Sequence, residues 1–505
     1  MLLSVFSLEF LGAFVTALLC VIGTAAWYLH QQHLKYDHLP GPPRDSFWSG
    51  HFPSIAKVKA AGGVMDDYFI EMSKTHGLVF RLFLWNQVII VCLDPTCIKD
   101  VLVTGNHPKS IRMYSRFHNL FGVRFMGQGV GSLVDSKLWK IQRMQLDQWF
   151  KPHLIRHFAS EFNEFCDRFV ELMETRADGK TETHMLHSFK KLTMHLLYKV
   201  AFNVDMGPFS EENHPFVTKM KTALSGVAAS LTNPFVAMNP FNWKFCRDVR
   251  EAIKYIRESA RQQMFDRKLA RDRGDYIPRD LLEYLIELKE KYPSVINDEI
   301  LLDNVLTFLL AGQETTANAL NFMLFLLGEN PECYKKLQRE IDEHVGAVSV
   351  ITLNELEKLS YLDMVLKETL RLYPLNKITS RETKYEFRLG DHLIPANTDM
   401  IVSFYATSRL EKNFTEPTKF MPERFQIDSS EKFSKYAYTP FSIGPRICIG
   451  KKFAEIEIKI TIVKIMQNID FELVPGQSAE LLDTAALRLK SGTMCLLRQR
   501  KMESD

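Results

Sequence analysis

The segment Phe441-Ser442-Ile443-Gly444-Pro445-Arg446-Ile447-Cys448-Ile449-Gly450 runs straight into a helical pattern over residues 451–467. Gly444 and Gly450 permit a tight turn that turns backbone N–H groups toward a sulfur, and a helix N-terminus just beyond it favours a thiolate. Arg446 adds a fixed positive charge suited to a carboxylate. A ligating thiolate in an aromatic-lined pocket, beside a cation for a propionate, is what a haem iron needs, so Cys448 is the expected iron ligand. No CxxCH stands in the chain, and covalent haem attachment is not expected. The chain has 8 cysteines between Cys20 and Cys495, too sparse for a disulfide scaffold, and Cys92 and Cys97 have neither CxxC nor zinc-site spacing. Apart from Cys448 they read as small buried hydrophobes.

A second segment, residues 305–318, places Ala311-Gly312-Gln313-Glu314-Thr315-Thr316 in the apolar middle of a helical pattern. Asn297 followed by Asp298 and Glu299 marks a helix start, and Gly328 before Pro331 its end, for a helix of about thirty residues. Gly312 allows a ligand close to the backbone; Thr315 offers a hydroxyl and Glu314 a carboxyl group for proton relay. Taken alone, the segment reads better as a polar stripe between packed helices.

The remaining chain shows what these segments belong to. Residues 10–29 carry no charge, and as a helix they would extend about 30 Å, enough to cross a bilayer core. Trp27 and Tyr28 stand where interfacial aromatics sit, and the basic residues that follow (Lys35, Arg44, Lys57, Lys59) orient the rest toward the cytoplasm. A cleaved signal peptide is the alternative, opposed by the length of the run and the lack of a preceding basic segment. We therefore expect a short lumenal segment (1–9), a transmembrane anchor (10–29), a Pro-rich linker (30–46) and one large domain (47–505), because no repeat or Gly/Ser-rich linker divides the last stretch. With 46% hydrophobic and 24% charged residues and a net charge of +3, a disordered polymer or a nucleic-acid binder is not expected.

Short β-branched and aromatic runs at 79–84 and 88–93 predict a hairpin, and strand signals recur at 384–389, 400–405 and 493–498. Helical periodicity covers 161–176, 186–202, 248–273, 297–327 and 452–467. Gly127-Gln128-Gly129-Val130-Gly131 has the spacing of neither a dinucleotide loop nor a P-loop, and His153 and His157 lack the glutamate of an HExxH zinc site.

These motifs resemble the cytochrome P450 family, whose FxxGxRxCxG signature is matched at Phe441, Gly444, Arg446, Cys448 and Gly450. The resemblance implies a mainly α fold with small β-sheets, preceded by one N-terminal transmembrane helix. It implies haem b with Cys448 as axial thiolate, Arg446 at a propionate and Phe441 beside the sulfur. It also identifies residues 311–315 with the AGxET oxygen-activation motif, with Thr315 and Glu314 as catalytic residues and Gly312 beside the cofactor. Glu368 and Arg371 match ExxR, which in the family forms a structural network with the arginine of a PERF-like motif, here Arg424. Trp139 and Arg143 match WxxxR, and Arg381 stands where another propionate-binding cation is often found. The implied enzyme is a monooxygenase of the endoplasmic reticulum membrane that takes O2 as co-substrate and electrons from NADPH through the NADPH-dependent cytochrome P450 reductase. Lys137, Lys140, Lys451 and Lys452 are candidate contacts for that acidic partner.

Within the family, residues 36–51, 127–129, 302–304, 371–374 and 471–477 look like the sterol side-chain hydroxylase branch, the relatives of cholesterol 24-hydroxylase. That resemblance implies an apolar pocket, with Phe121, Phe125, Met126, Ala311, Leu375 and Ile378 as candidate lining. The chain departs from the branch after Pro374, at Leu375-Asn376-Lys377-Ile378. An inward Lys377 would be a costly buried charge or would seek an acidic substrate group; turned away, it leaves a neutral sterol as the expected substrate. Residues 208–245, rich in Phe, Met and Pro, are read as a membrane-dipping segment or a packed lid. The alternatives are another lipophilic substrate (a fatty acid or xenobiotic), a non-oxygenating haem-thiolate isomerase, and a haem- or sterol-binding protein. Asn413-Phe414-Thr415 is a glycosylation sequon that a cytoplasmic domain leaves unmodified.

Overall fold

The charge-free N-terminal run folds as a helix, Leu2–Tyr36, in a computed structural model that describes residues 2–209, 215–233, 235–484 and 486–500. Its Gly12–Tyr36 portion is long and apolar enough to cross a membrane. The helix continues beyond residue 29, through positions the sequence assigns to the linker, because its last two turns have a partner. Leu29, His33 and Tyr36 are buried on one face; the His33 ring meets Phe83 edge-on at 4.9 Å, and the Tyr36 hydroxyl lies 2.8 Å from Thr398 Oγ1. The prolines that follow are pinned as well: the Pro40 carbonyl accepts the Arg81 N–H at 2.8 Å, and the Pro42 carbonyl lies 3.0 Å from His51 Nε2. The N-terminal helix is thus joined to the rest of the chain by a docked segment.

That docking surface is a four-stranded sheet. Val79–Leu84 and Gln87–Cys92 form the expected hairpin, with Leu84 opposite Gln87 and Trp85 at a positive φ of 57° in the turn. The second strand pairs parallel with Asp399–Ser403, which pairs antiparallel with Ile378–Glu382. Two expectations shift here. The strand over 400–405 stops at Ser403, whose hydroxyl accepts the Ala406 N–H at 2.9 Å and starts the helical turn Phe404–Thr407. The signal at 384–389 is borne out in its second half: residues 384–385 bend after strand Ile378–Glu382, and Phe387–Leu389 forms a small hairpin with His392–Ile394. The polar strand Asp178–His184 carries no apolar alternation; pairing with Met494–Gln499 holds it in a sheet.

Helix Asp298–Glu329 is the axis of the helical body, buried along most of its length and started by Asn297, whose side chain accepts the Ile300 N–H at 2.9 Å. It packs on Met185–Phe202 and on Lys451–Asn468, the helix that follows Cys448. The Gly127–Gly131 loop has a structural task against this axis. A Cβ on Gly129 would fall 2.1 Å from Thr307 Oγ1, and one on Gly127 the same distance from Asp303 Oδ2, so glycine lets the loop backbone touch the helix. Two loop N–H groups then bond to it, Gln128 to Asp303 at 2.8 Å and Val130 to Asn304 at 2.9 Å. Asp303 is fully buried and also receives Arg257 at 2.9 Å and Arg124 at 2.5 Å. The side chains of His153 and His157 lie outside the described residues.

Asp303→Ala leaves the buried Arg257 guanidinium with Glu299 and the Phe125 carbonyl but without its buried carboxylate, and unpairs a loop amide, so we expect a loss of about 2 kcal/mol in unfolding free energy. Urea titration followed by circular dichroism measures it, with the exposed-site variant Lys452→Ala as the near-neutral control.

Candidate active site around Cys448

The loop before the cysteine folds back on itself: the Cys448 N–H donates to the Phe441 carbonyl at 2.9 Å and the Ile447 N–H to Gly444 at 3.1 Å. Gly444 has φ +80°, and a Cβ there would lie 2.2 Å from the Leu102 carbonyl oxygen, so the turn closes only without a side chain. Gly450 caps the following helix and its N–H faces the Cys448 sulfur. Burial raises the thiol above its ordinary pKa, while the Gly450 N–H and Arg143 act to lower it. Although Cys448 lies deep in the molecule, its side chain is exposed to an internal cavity of about 310 Å³.

The opposite wall is the middle of the axial helix, where Ala311, Gly312, Thr315 and Thr316 line the cavity. The Thr315 hydroxyl donates to the Ala311 carbonyl at 2.6 Å, which leaves its oxygen available to accept from the cavity side. Glu314 is one residue away but faces Met185–Phe202, where it pairs with Lys190 at 2.8 Å and accepts Asn318 Nδ2 at 3.2 Å. It does not line the cavity.

Charge distinguishes the rim. Lys109, Arg143, Arg381 and Arg446 line the cavity, with no carboxylate among its described lining residues. Arg143 has Asp147 at 2.7 Å and also reaches the Ile447 carbonyl. Lys109, Arg381 and Arg446 have no ion-pair partner among the described residues. Arg446 stacks over Trp139 at 4.1 Å and donates to the Leu133 carbonyl at 2.6 Å, yet its Nη2 is buried with no partner. Arg381 donates to Thr379 Oγ1 at 2.8 Å. Burial lowers both arginines, Arg446 to about 10 with Arg381 as a contributor. Burial, with Arg381 and Arg446 close by, brings Lys109 down to about 8. An orphaned guanidinium nitrogen and crowded cations call for a buried anion. A macrocycle carrying carboxylates at one edge and a thiolate-seeking iron at its centre fits this donor set.

Lys109 and its neighbour Tyr114, whose hydroxyl is 3.1 Å from Thr379 Oγ1, are the site residues that sequence reasoning missed. A lysine after His107-Pro108 has no motif around it; only its bridge to Arg381 reveals the role.

Glu368, Arg371 and Arg424 come together away from the cavity, fully buried. Glu368 holds Arg371 at 2.7 Å, Arg424 at 3.0 Å and the Met421 N–H at 2.9 Å. Of the six residues expected around a substrate, Ala311 and Leu375 line the cavity. Phe121, Phe125, Met126 and Ile378 do not. The hairpin of Asn119–Leu120 with Val123–Arg124 presses the first three into the core against helices Pro215–Thr232 and Trp243–Arg273, and strand alternation puts Ile378 on the face opposite Thr379. Lys377 is buried, yet it turns from the cavity to Asp66 at 2.9 Å and Asp483 at 2.7 Å. Lys137, Lys140 and Lys452 are exposed on the outer sides of the two helices that carry Trp139 and follow Cys448; Lys451 is partly buried.

Comparison with known proteins agrees with this geometry. The family model described as Cytochrome P450 matches residues 40–496. The chain is 29% identical over 474 residues to Cytochrome P450 3A9 of Rattus norvegicus, covering 90% of this chain and 91% of that protein. It is 30% identical to Cytochrome P450 3A13 of Mus musculus, over 82% of each chain. It is 28% identical to the Drosophila melanogaster protein named Probable cytochrome P450 4aa1, over 79% of this chain and 78% of that one. None of the three carries the name of a sterol side-chain hydroxylase.

Because an anion binds the protonated form of Lys109, the share of haem affinity that Lys109 supplies should fall as pH rises above about 8, where the free ammonium loses its proton. Ionisation of the Cys448 thiol adds an opposite slope that is common to wild type and to Lys109→Arg. Haem transfer to a scavenger protein at pH 7 and 9 measures the effect as the difference between the two proteins, with wild type losing affinity relative to Lys109→Arg at the higher pH.

Proposed function

The chain belongs to the cytochrome P450 family, and from that membership we propose that it is a membrane-anchored haem-thiolate monooxygenase that hydroxylates a neutral lipophilic substrate, with a sterol side chain as the best candidate. One observation supports this above the rest: the Cys448 thiol opens into a cavity between the Thr315 hydroxyl and a rim of four cations, three of them without an ion-pair partner among the described residues. The family's cofactor is haem b held by a cysteine thiolate. When bound, it supplies the activation of O2 and the oxidation of a C–H bond, on electrons drawn from NADPH through the reductase.

The residues of this chain do the rest. Cys448 gives up its proton to become the ligand, helped by the Gly450 N–H and Arg143 against the cost of burial. Arg446, Arg381, Lys109 and Arg143 take the carboxylates, and Trp139 stacks beneath Arg446. Thr315 presents its oxygen to the cavity and hands protons inward, while the apolar walls keep bulk water out. Glu314 is the acid behind Thr315, but its carboxylate is engaged by Lys190, so delivering a proton requires it to turn away from that ammonium.

The cavity wall supports a neutral substrate. Leu370, Leu375, Phe404 and Ala319 contribute apolar surface, and Lys377 keeps its charge on two carboxylates. Of the segment read as a membrane-dipping region or lid, Phe241 is 93% and Met238 76% exposed, and Phe235 meets Trp85 at 5.5 Å beside Phe52. These exposed aromatics suit the membrane face beside the anchor helix, with the domain on the cytoplasmic side of the endoplasmic reticulum.

The reduced carbon monoxide complex of the wild-type protein should show the thiolate-type Soret band, and Cys448→Ala should lose it; a band that survives the substitution overturns the reading. With reductase, NADPH and cholesterol, wild type should form a side-chain alcohol. A product from another lipophile but none from cholesterol would replace the sterol assignment and leave the monooxygenase. Glu314→Gln should lower product formed per NADPH consumed by on the order of tenfold or more and raise hydrogen peroxide release.

A further inference from the structure

The connection between helix Ser360–Leu372 and strand Ile378–Glu382 is held by charges drawn from both ends of the chain. Leu375 and Asn376 face the cavity, and the Asn376 amide has no hydrogen-bond partner among the described residues. Lys377 faces the other way, 7% exposed, with Nζ between Asp66 and Asp483. Asp66 is fully buried and accepts the Ser403 hydroxyl at 2.5 Å; Asp483 belongs to the terminal hairpin Leu481–Asp483 with Leu487–Leu489 and also has Lys59 at 3.7 Å. Backbone bonds complete the clamp: the Lys377 carbonyl accepts Phe404 N–H at 2.7 Å, and the Leu375 carbonyl accepts Leu487 N–H at 2.9 Å.

Lys59 and Lys377 balance the two carboxylates, so the cluster is neutral as a whole. Burial alone would push the Lys377 ammonium toward its neutral form, but Asp66 and Asp483 hold it firmly charged. A methionine of similar length would fill the space without any desolvation cost, so the ion cluster is a poor choice for stability alone. What it adds is geometry. The ammonium is on a flexible four-carbon stem, one residue from a cavity-lining amide, and losing either of its two carboxylates weakens the hold that keeps it from turning to an anion in the cavity.

We propose that Asp66, Lys377 and Asp483 form a specificity clamp, which holds Leu375 and Asn376 as cavity wall and withholds the ammonium, so that the site selects neutral lipophiles over carboxylates. This rests on the proposed monooxygenase reading and names the device that sets its substrate class. Lys377 is a positioning residue here.

The test uses 1-dodecanol and dodecanoate, which share a chain and differ in charge, titrated into the full-length holoprotein by the iron spin-state change. Wild type should prefer the alcohol. Asp483→Asn, at the half-exposed end of the clamp, should shift the affinity ratio toward dodecanoate by on the order of tenfold, the value of a charge-assisted hydrogen bond. Adding Lys377→Met to it should return the ratio to that of wild type, which a general loosening of the fold would not do. Asp66→Asn is the second variant and should act in the same direction. A ratio within twofold of wild type in both single variants, a ratio that Lys377→Met leaves shifted, or no response to either ligand in any of these proteins overturns the clamp. A thiolate-type carbon monoxide complex in the same samples keeps the haem-thiolate reading standing when the clamp fails.

Discussion

Glu368 carries more of this structure than its size suggests. Between the helical turn Phe404–Thr407 and the helix that begins at Lys451, the described chain has little regular structure beyond the short turn Pro422–Phe425. Backbone ladders therefore cannot hold it. Glu368 orients Arg371, and Arg371 reaches the carbonyls of Ser408, Pro417 and Lys419 at 2.7, 2.8 and 3.2 Å. Glu368 also takes Arg424, which reaches Thr415 and Glu431. One buried carboxylate thus sets the course of an irregular segment, and that segment delivers Cys448 to the cavity. A pair that would be worth a few tenths of a kcal/mol on a helix surface becomes a framework when both partners are fully buried and every donor is used.

The contrast between compensated and uncompensated charge locates the functional centre. Asp303, Glu368 and Lys377 are buried and each has its counter-charges within hydrogen-bonding distance. Arg381 is buried, and Lys109 and Arg446 are half-buried close to it, with no counter-charge among the described residues. Glu457 is also buried without a partner, but it stands alone and burial pushes its carboxyl up to about 8, toward the neutral form; three cations crowded on one cavity beside a thiol instead call for an anionic ligand. The same logic separates Glu314 from Thr315. They are neighbours in sequence, but a helix turns successive side chains by about 100°, so one faces the cavity and the other faces Lys190.

Much of this was legible in the residues. The Cys448 segment, the Ala311–Thr316 stretch and the ExxR pair are short-range patterns, and their chemistry follows from residue type and spacing. The long helix was readable from its Asn297 cap and from Pro331 just beyond its end, although Gly328 lies inside it, packed against Leu473. The pocket wall was not: Phe121, Phe125 and Met126 have the composition of a substrate site, but packing against two helices turns them into core. Nor was Asp178–His184 recognisable as a strand, since its order comes from a partner more than three hundred residues later.

By itself the sequence determined the apolar N-terminal helix, the mainly helical class, the Cys448 turn and the helix that carries Thr315, because each depends on local periodicity or on a motif whose members lie within one turn or one loop. Tertiary structure alone decided which cations gather at the cavity rim, that Lys109 is among them, that the N-terminal helix continues to Tyr36, and that Lys377 points away from the cavity. Those outcomes depend on which distant segments meet, and a buried charge goes where its counter-charge is. For Lys377 the counter-charges are at positions 66 and 483, and no local reading of the chain brings them together.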